Sequence, residues 1–234
     1  MAQDNPLVIT PSEPQYKAHM QAVEARIEVL NTPEAAKRLE ARADRVNQAV
    51  KPEQRQQLVE QAFKASGAAK KLFWLRREAE VVSKAILPHS ACRNGCSDCC
   101  NINVMLSEGE ARVIAKAIGR PISEPAPGKA LVPNNLMTQA GMMQFQQEKP
   151  HVTRDRIGHP CTFLEAGRCS IYEHRPMACR QQFNLDDDNL LCKLVEGGDI
   201  PVPYLNQQTA QVAYLMLWGS NSRMADIREW FPEV

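Results

Sequence analysis

No cysteine occurs in the first 91 residues of this chain; all eight lie between Cys92 and Cys192. A disulfide framework would spread its cysteines over the whole fold, so this asymmetry argues against one. No run approaches the roughly 18 consecutive apolar residues that a transmembrane helix needs, so no membrane span is expected. Neither sign of charge dominates. The 28 lysines and arginines against 27 aspartates and glutamates leave a net charge of +1, which supports neither nucleic acid nor an acidic membrane surface as a partner. The stretch Met1-Ala2-Gln3-Asp4-Asn5-Pro6-Leu7 has no basic segment ahead of an apolar core, so no secretory signal is expected and the cytoplasm is the expected compartment. Glycine-rich nucleotide loops, a G-x-S-x-G elbow and an H-E-x-x-H pair are all missing, and no catalytic base stands out. Internal repeats and low-complexity tracts are absent as well.

What is present is helical periodicity, then thiols. Tyr16, Met20, Val23, Ile27 and Leu30 recur at steps of four and three, one face of an α-helix. Thr32-Pro33-Glu34 reads as a restart, with Thr32 as N-cap and Pro33 in the first turn. Leu39, Ala43, Val46 and Val50 continue the stripe until Lys51-Pro52 breaks it. A further helix is expected over about 53–65. Leu72, Leu75, Ala79, Val82 and Ile86 give another stripe that ends at Pro88. Lys70, Lys71, Arg76 and Arg77 around Phe73-Trp74 are expected to form a solvated basic face with the aromatics turned inward. Ser107-Glu108-Gly109-Glu110 is a capping box opening a helix to Ile118, with Gly119 as its C-cap. Short helices are expected over 136–147, with Met137, Met142 and Met143 as core filler, over 207–218 and over 222–230. The fold class is therefore mainly α: an N-terminal helical hairpin or bundle packed on an irregular, cysteine-rich metal-binding module with short strands at most. The expected organisation is an irregular leader over 1–14, a helical region over 15–88, a cysteine-cluster domain over 89–200 and C-terminal helices over 201–234 packing on the core.

In a reducing compartment clustered thiols bind metal or do redox chemistry more often than they pair. Thiolate is a soft donor that suits zinc or iron–sulfur clusters and not magnesium or calcium. Cys92, Cys96, Cys99 and Cys100 fall within nine residues, and Cys96-x2-Cys99 is a spacing at which a tight turn aims two sulfurs at one metal. Cys161, Cys169, Cys179 and Cys192 complete the candidate ligand set. Eight thiols fill two four-cysteine sites, or one such site with four spare. Neighbouring side chains diverge in strands and helices, so Cys99 and Cys100 are expected to serve two nearby sites or one polynuclear site fed from both sides. Arg175 and Arg180 stand near Cys179, where a cation steadies thiolate charge, and Glu173 and Arg175 are expected to form an ion pair. His89, His159 and His174 flank cysteines but are expected to be surface or hydrogen-bonded. Asp186-Asp187-Asp188-Asn189 lacks the glycine and terminal glutamate of a calcium loop and reads as a turn or N-cap.

Cys92-x3-Cys96-x2-Cys99 is also the spacing of the radical S-adenosylmethionine signature, but those enzymes need an alternating α/β barrel that this chain does not show. A fuller likeness comes from several motifs in order: Cys92 to Cys100; Pro160-Cys161-Thr162-Phe163; Cys169-Ser170-Ile171-Tyr172-Glu173-His174-Arg175-Pro176; and Cys179-Arg180. Together these residues closely resemble the YkgJ-type cysteine-cluster (CxxCxxCC) family, whose domain is described as zinc- or iron-chelating. One departure is the gap of three residues between Cys92 and Cys96, where the short form has two. The resemblance implies a metal–thiolate domain with these eight cysteines as candidate ligands. A flagellin lysine methylase carries a similar cluster, so such a domain can accompany chemistry, but the family fixes no single reaction.

Three functions are in contention. In the first the thiolates hold iron, preferably as an iron–sulfur cluster, or zinc, in a protein with a redox or protein-modifying role. In the second zinc only folds a loop-rich segment, and the N-terminal helices bind a protein partner. The third is a thiol-based redox sensor using Cys99 or Cys100.

Overall fold

The computed structural model describes residues 8–93, 95–133, 136, 138–153, 157–196, 199–219 and 222–233. Residues 1–7 of the expected leader and Met137 lie outside the described residues.

The chain enters on strand β1 (Val8–Ile9), then runs through four helices: α1 (Pro14–Leu30), α2 (Pro33–Ala49), α3 (Pro52–Lys64) and α4 (Ala68–Ile86). Three of them begin at a proline, which pre-sets helical φ and has no N–H to leave unpaired in the first turn. At α2 the Thr32 hydroxyl accepts from the Ala35 N–H at 3.3 Å, as its sequence demands. The reversal into α4 turns on Gly67, whose φ of 82° only glycine adopts without strain.

Helix α4 is the spine. Leu72, Leu75, Ala79, Val82 and Ile86 are each no more than 1% exposed. Burying each leucine, isoleucine or valine contributes about 1.5–3 kcal/mol relative to leaving it in water. The upper part of the stripe meets Ala62 of α3 and, from far along the chain, Met177, Tyr214 and Trp218. The lower part meets Val46 and Val50 of α2 together with Phe183 and Leu185. The basic face of α4 departs from expectation: Phe73 is 54% exposed, while Arg76 is drawn inward to donate to the His174 carbonyl at 3.0 Å.

Beyond the first cysteines come β2 (Met105–Ser107), α5 (Glu108–Ile118), β3 (Ala130–Leu131), α6 (Gln139–Thr153), the β4–β5 hairpin (Leu164–Glu165 and Arg168–Cys169), α7 (Met177–Arg180), β6 (Leu194–Val195), α8 (Gln208–Tyr214), β7 (Met224–Asp226) and α9 (Ile227–Trp230). The fold is thus mainly α with short strands. Met142 packs on the core of α6, but Met143 is 52% exposed. Helix α8 continues as a π-helical turn over Leu215–Gly219. The helix expected over 222–230 is a correction. Met224, Ala225 and Asp226 pair antiparallel with Ser107, Leu106 and Met105, and β3 pairs on the other side, so β7 is the centre of a three-stranded sheet. Asp226 then caps α9 by accepting from the Arg228 N–H, which fixes the helix start at Ile227. β1 lies parallel to β6, which ties the described end of the leader to the segment that follows Cys192.

The N-terminal helices are joined to the cysteine-bearing half by charge as well. Arg26 reaches Asp186 at 2.7 Å and Asp188 at 2.9 Å, and Asp187 pairs with Arg42 and Arg38. The acidic run is a turn, as expected: the Asp188 carboxylate accepts from the Leu190 N–H at 2.9 Å. The Arg42 hydrogen bond holds the Asp187 carboxyl below its ordinary value of 3.8, and the Leu190 N–H with Arg26 does the same for Asp188. The stabilisation from a lowered carboxylate is complete above the unfolded value and lost as pH falls through the lower folded one. Urea denaturation of the wild type should therefore show a loss of stability below about pH 3.8 that a D187N/D188N variant shows less of. Parallel acid profiles for the two proteins would show that these pairs do not join the halves.

Candidate metal centre

The eight cysteines come together from four remote stretches, and local backbone chemistry explains how. Cys99 and Cys100 ride on a 3-10 turn over Asp98–Asn101. The loop that carries Cys161 is laid against that turn by two main-chain bonds, Cys161 N–H to the Cys100 carbonyl at 2.7 Å and Gly158 N–H to the Asn101 carbonyl at 2.6 Å. Cys169 is returned opposite Leu164 by the β4–β5 hairpin. Its turn places both Ala166 (φ 47°) and Gly167 (φ 73°) in the left-handed region that a two-residue hairpin loop requires. Cys179 is presented by α7, whose leading N–H, that of Met177, is held by the Glu110 carboxylate at 2.9 Å. Cys99, Cys100, Cys161, Cys169 and Cys179 thereby form one group, each within range of the charge of others in it.

Cys92, Cys96 and Cys192 form a second group, which meets the first at Cys96, itself within range of the Cys99 charge. The buried Asn184 bridges two of them: its main-chain N–H donates to the Cys92 sulfur and its side-chain amide to the Cys192 sulfur, both at 3.3 Å. Cys96 donates to the Asp98 carboxylate at 3.5 Å, and that carboxylate is held by Asn189 at 2.7 Å and Lys193 at 2.8 Å. Asp98 therefore stands between the two groups.

The expectation that Cys99 and Cys100 diverge is corrected. Successive side chains stand about 120° apart on a 3-10 turn, yet the Cys99 and Cys100 thiols interact directly. The Cys100 thiol, helped by the Arg175 charge, holds Cys99 down to about 7 against the effect of its burial. Cys100 is pushed up in turn by Cys99, by burial and by Cys179 and Cys161. Burial raises Cys161, Cys169 and Cys179, with the neighbouring thiols adding to it at each. In the second group burial raises Cys96, and burial with Asp98 pushes Cys192 up to about 12. Crowded thiols that cannot all ionise need positive charge among them, and a coordinated cation is the group that deprotonates thiols outright.

Donor type, burial and crowding thus fit a soft metal ion or cluster. Closure is not built in: among the described residues, no three His, Cys, Asp or Glu side chains are already arranged to hold an ion. The carbonyls of His159 and His174 accept from Arg228 and Arg76. Glu173 and Arg175 do not form the expected ion pair; the Arg175 guanidinium lies over the Tyr172 ring at 4.2 Å, and its charge acts on Cys99, Cys169 and Cys179.

Three residues that hold the site in place gave no sign in the sequence. Arg228, 7% exposed, pairs with Asp226 and donates to the carbonyls of Cys100 (3.2 Å), Ile102 (3.2 Å), His159 (2.5 Å) and Pro160 (3.0 Å). It pins the Cys99–Cys100 turn to the Cys161 loop. Asn184 bridges the second group as described. Glu110, fully buried, was expected to close a capping box with Ser107. Ser107 does accept from the Glu110 N–H at 3.2 Å, but the Glu110 carboxylate turns inward to Met177 and to the Tyr214 hydroxyl at 2.6 Å.

No curated protein and no solved structure matches the chain. A family model does: "CxxCxxCC: Putative zinc- or iron-chelating domain", over residues 91–195. No helix among the described residues is long and apolar enough to cross a membrane. The matched span holds all eight cysteines, and the family it matches is the one that their motifs resemble.

Proposed function

We propose that this chain is an iron-binding protein, with iron–sulfur held by thiolates drawn from the eight cysteines and a redox or protein-modifying role built on it. The observation that carries the reading is the gathering of Cys99, Cys100, Cys161, Cys169 and Cys179 into one group from separate segments. Structural zinc is closed by four ligands. Five neighbouring thiols, two of them adjacent in sequence, exceed that number and suit a centre with several metal atoms. Cys92, Cys96 and Cys192 extend the donor set on the far side of Asp98. A bound cluster would supply one-electron chemistry, and the Arg175 charge acts on Cys99, Cys169 and Cys179, three of the thiols that would hold it. Because the thiols gather without closing, ion binding itself completes the site and stabilises the loops around it. On this reading residues 89–200 form the metal-binding domain, 15–88 its helical support and 201–234 the layer that packs on the core.

Anaerobic purification with iron, zinc and acid-labile sulfide assayed on the same sample tests this. Brown protein with iron and sulfide in comparable amounts is the expected result. A colourless protein with stoichiometric zinc would favour the second reading, in which metal only folds the domain and the N-terminal helices bind a partner protein. Metal-free protein that gains disulfides on mild oxidation would favour a thiol sensor and overturn both.

A further inference from the structure

A cleft lies between α4 and the Tyr172–Arg180 segment, with a volume of about 590 Å³. Arg76, Arg175 and Arg180 line it. Arg76 and Arg180 are held by main-chain carbonyls, which orient a guanidinium without neutralising it, and Arg175 lies over the Tyr172 ring at 4.2 Å. Arg76 donates to the His174 carbonyl at 3.0 Å, and Arg180 donates to the carbonyls of Arg175 (3.0 Å) and Glu173 (2.5 Å). The Nε atoms of Arg76 and Arg175 are buried and have no hydrogen-bond partner among the described residues. None of the three arginines is in an ion pair there, whereas the other cations lining the cleft, Arg77 and Lys84, are both paired with Glu80, at 3.1 and 2.8 Å. Glu110, behind Arg76, is committed to Tyr214 and the Met177 N–H. The charge of Glu110 still reaches Arg76 and Arg180, and Glu173 adds one more carboxylate in the cleft, which leaves three guanidiniums against two acids, neither in an ion pair with them. Unpaired buried donors of this strength are costly, and an anion in the cleft would compensate the guanidinium charges that carry them.

We propose that this cleft binds a small phosphorylated molecule, its phosphate on Arg76, Arg175 and Arg180 and its organic part toward the exposed rings of Tyr172 and Phe73. A guanidinium edge matches two oxygens of one anion. A carboxylate is used up by one such edge, while a phosphate offers oxygens in several directions to arginines that arrive from α4 and from α7. The rival account has these arginines serving only as counter-charge to the thiols. Arg175 acts on three of the thiols and Arg180 on Cys169, while Arg76 comes from α4, which carries no cysteine, so Arg76 separates the two accounts.

Isothermal titration of the protein as purified with phenyl phosphate, inorganic phosphate and benzoate, with metal content assayed on the same sample, tests the proposal. Phenyl phosphate should bind, benzoate should bind roughly tenfold more weakly or worse, and R76Q should lose roughly tenfold in phosphate affinity with metal content unchanged, the scale of one charge-assisted hydrogen bond. R112Q, whose arginine is paired with Glu108 outside the cleft, should bind as the wild type does. Absence of phosphate binding to the wild type, equal binding of benzoate, or an unchanged R76Q would each overturn the assignment. The wild-type titrations decide the matter even where R76Q does not fold. Because metal is measured separately, a metal-free protein that still binds phenyl phosphate would leave the cleft standing while the iron reading falls.

Discussion

Cys179→Ser is expected to cost the protein most of its metal and the integrity of the fold around it. Cys179 sits on α7 against the apolar cluster of Phe163, Ile171, Trp230 and Phe231. Serine is close to cysteine in size, so the exchange leaves no cavity and little packing is lost. What it removes is a soft donor, since a hydroxyl is a poor ligand for zinc or iron beside thiolates. A structural metal site contributes about 10–16 kcal/mol of apparent folding free energy, so losing one ligand from it should destabilise by several kcal/mol. Cys96→Ser tests the second group the same way, where the loss should be local to the Asp98 region. Elemental analysis and thermal denaturation by circular dichroism read the two consequences separately. Full metal content in both variants would remove these two cysteines from the ligand set, and metal loss with an unchanged melting profile would show that the metal does not hold the fold.

The helical half was legible from residue spacing because each stripe answers to one local rule. Leu72, Leu75, Ala79, Val82 and Ile86 were read from a period of three and four, and all are buried. The caps at Thr32 and Ser107 and the left-handed Gly119 were legible for the same reason: each involves residues within one turn. What escaped depends on contacts between distant segments. Met224–Asp226 looks helical by composition, but β2 and β3 offer it a ladder on both edges. Glu110 satisfies the capping pattern on paper, yet Tyr214 and the start of α7 claim its carboxylate. The candidate ligands were nameable as a set because thiols are chemically distinctive. Which of them come close was not, since that turns on the main-chain bonds that lay the Cys161 loop on the Cys100 turn and on Asn184, which no cysteine spacing announces.

Arg228 is the position at which this dependence on distant contacts can be measured. Arg228→Met keeps length and apolar bulk but strands the Asp226 carboxylate, fully buried, and leaves the carbonyls of Cys100, Ile102, His159 and Pro160 without their donor. Removing one member of a buried ion pair costs about 3–5 kcal/mol, because the remaining charge is left uncompensated. Denaturant unfolding should show a loss of that size, against almost none for Arg77→Met on the exposed face of α4. A purely structural arginine would stop there. A residue that positions the thiols should also speed metal release to a chelator under native conditions, because the Cys99–Cys100 turn and the Cys161 loop lose the side chain that pins them together. Arg228→Lys separates charge from geometry. The ammonium restores compensation of Asp226 but brings three donors from a single point, which cannot span carbonyls on both segments. Lysine should therefore recover much of the stability and little of the resistance to chelation. A variant pair that unfolds within about 1 kcal/mol of the wild type, or that releases metal at the wild-type rate, would mean that the two cysteine segments are held together by something other than this side chain.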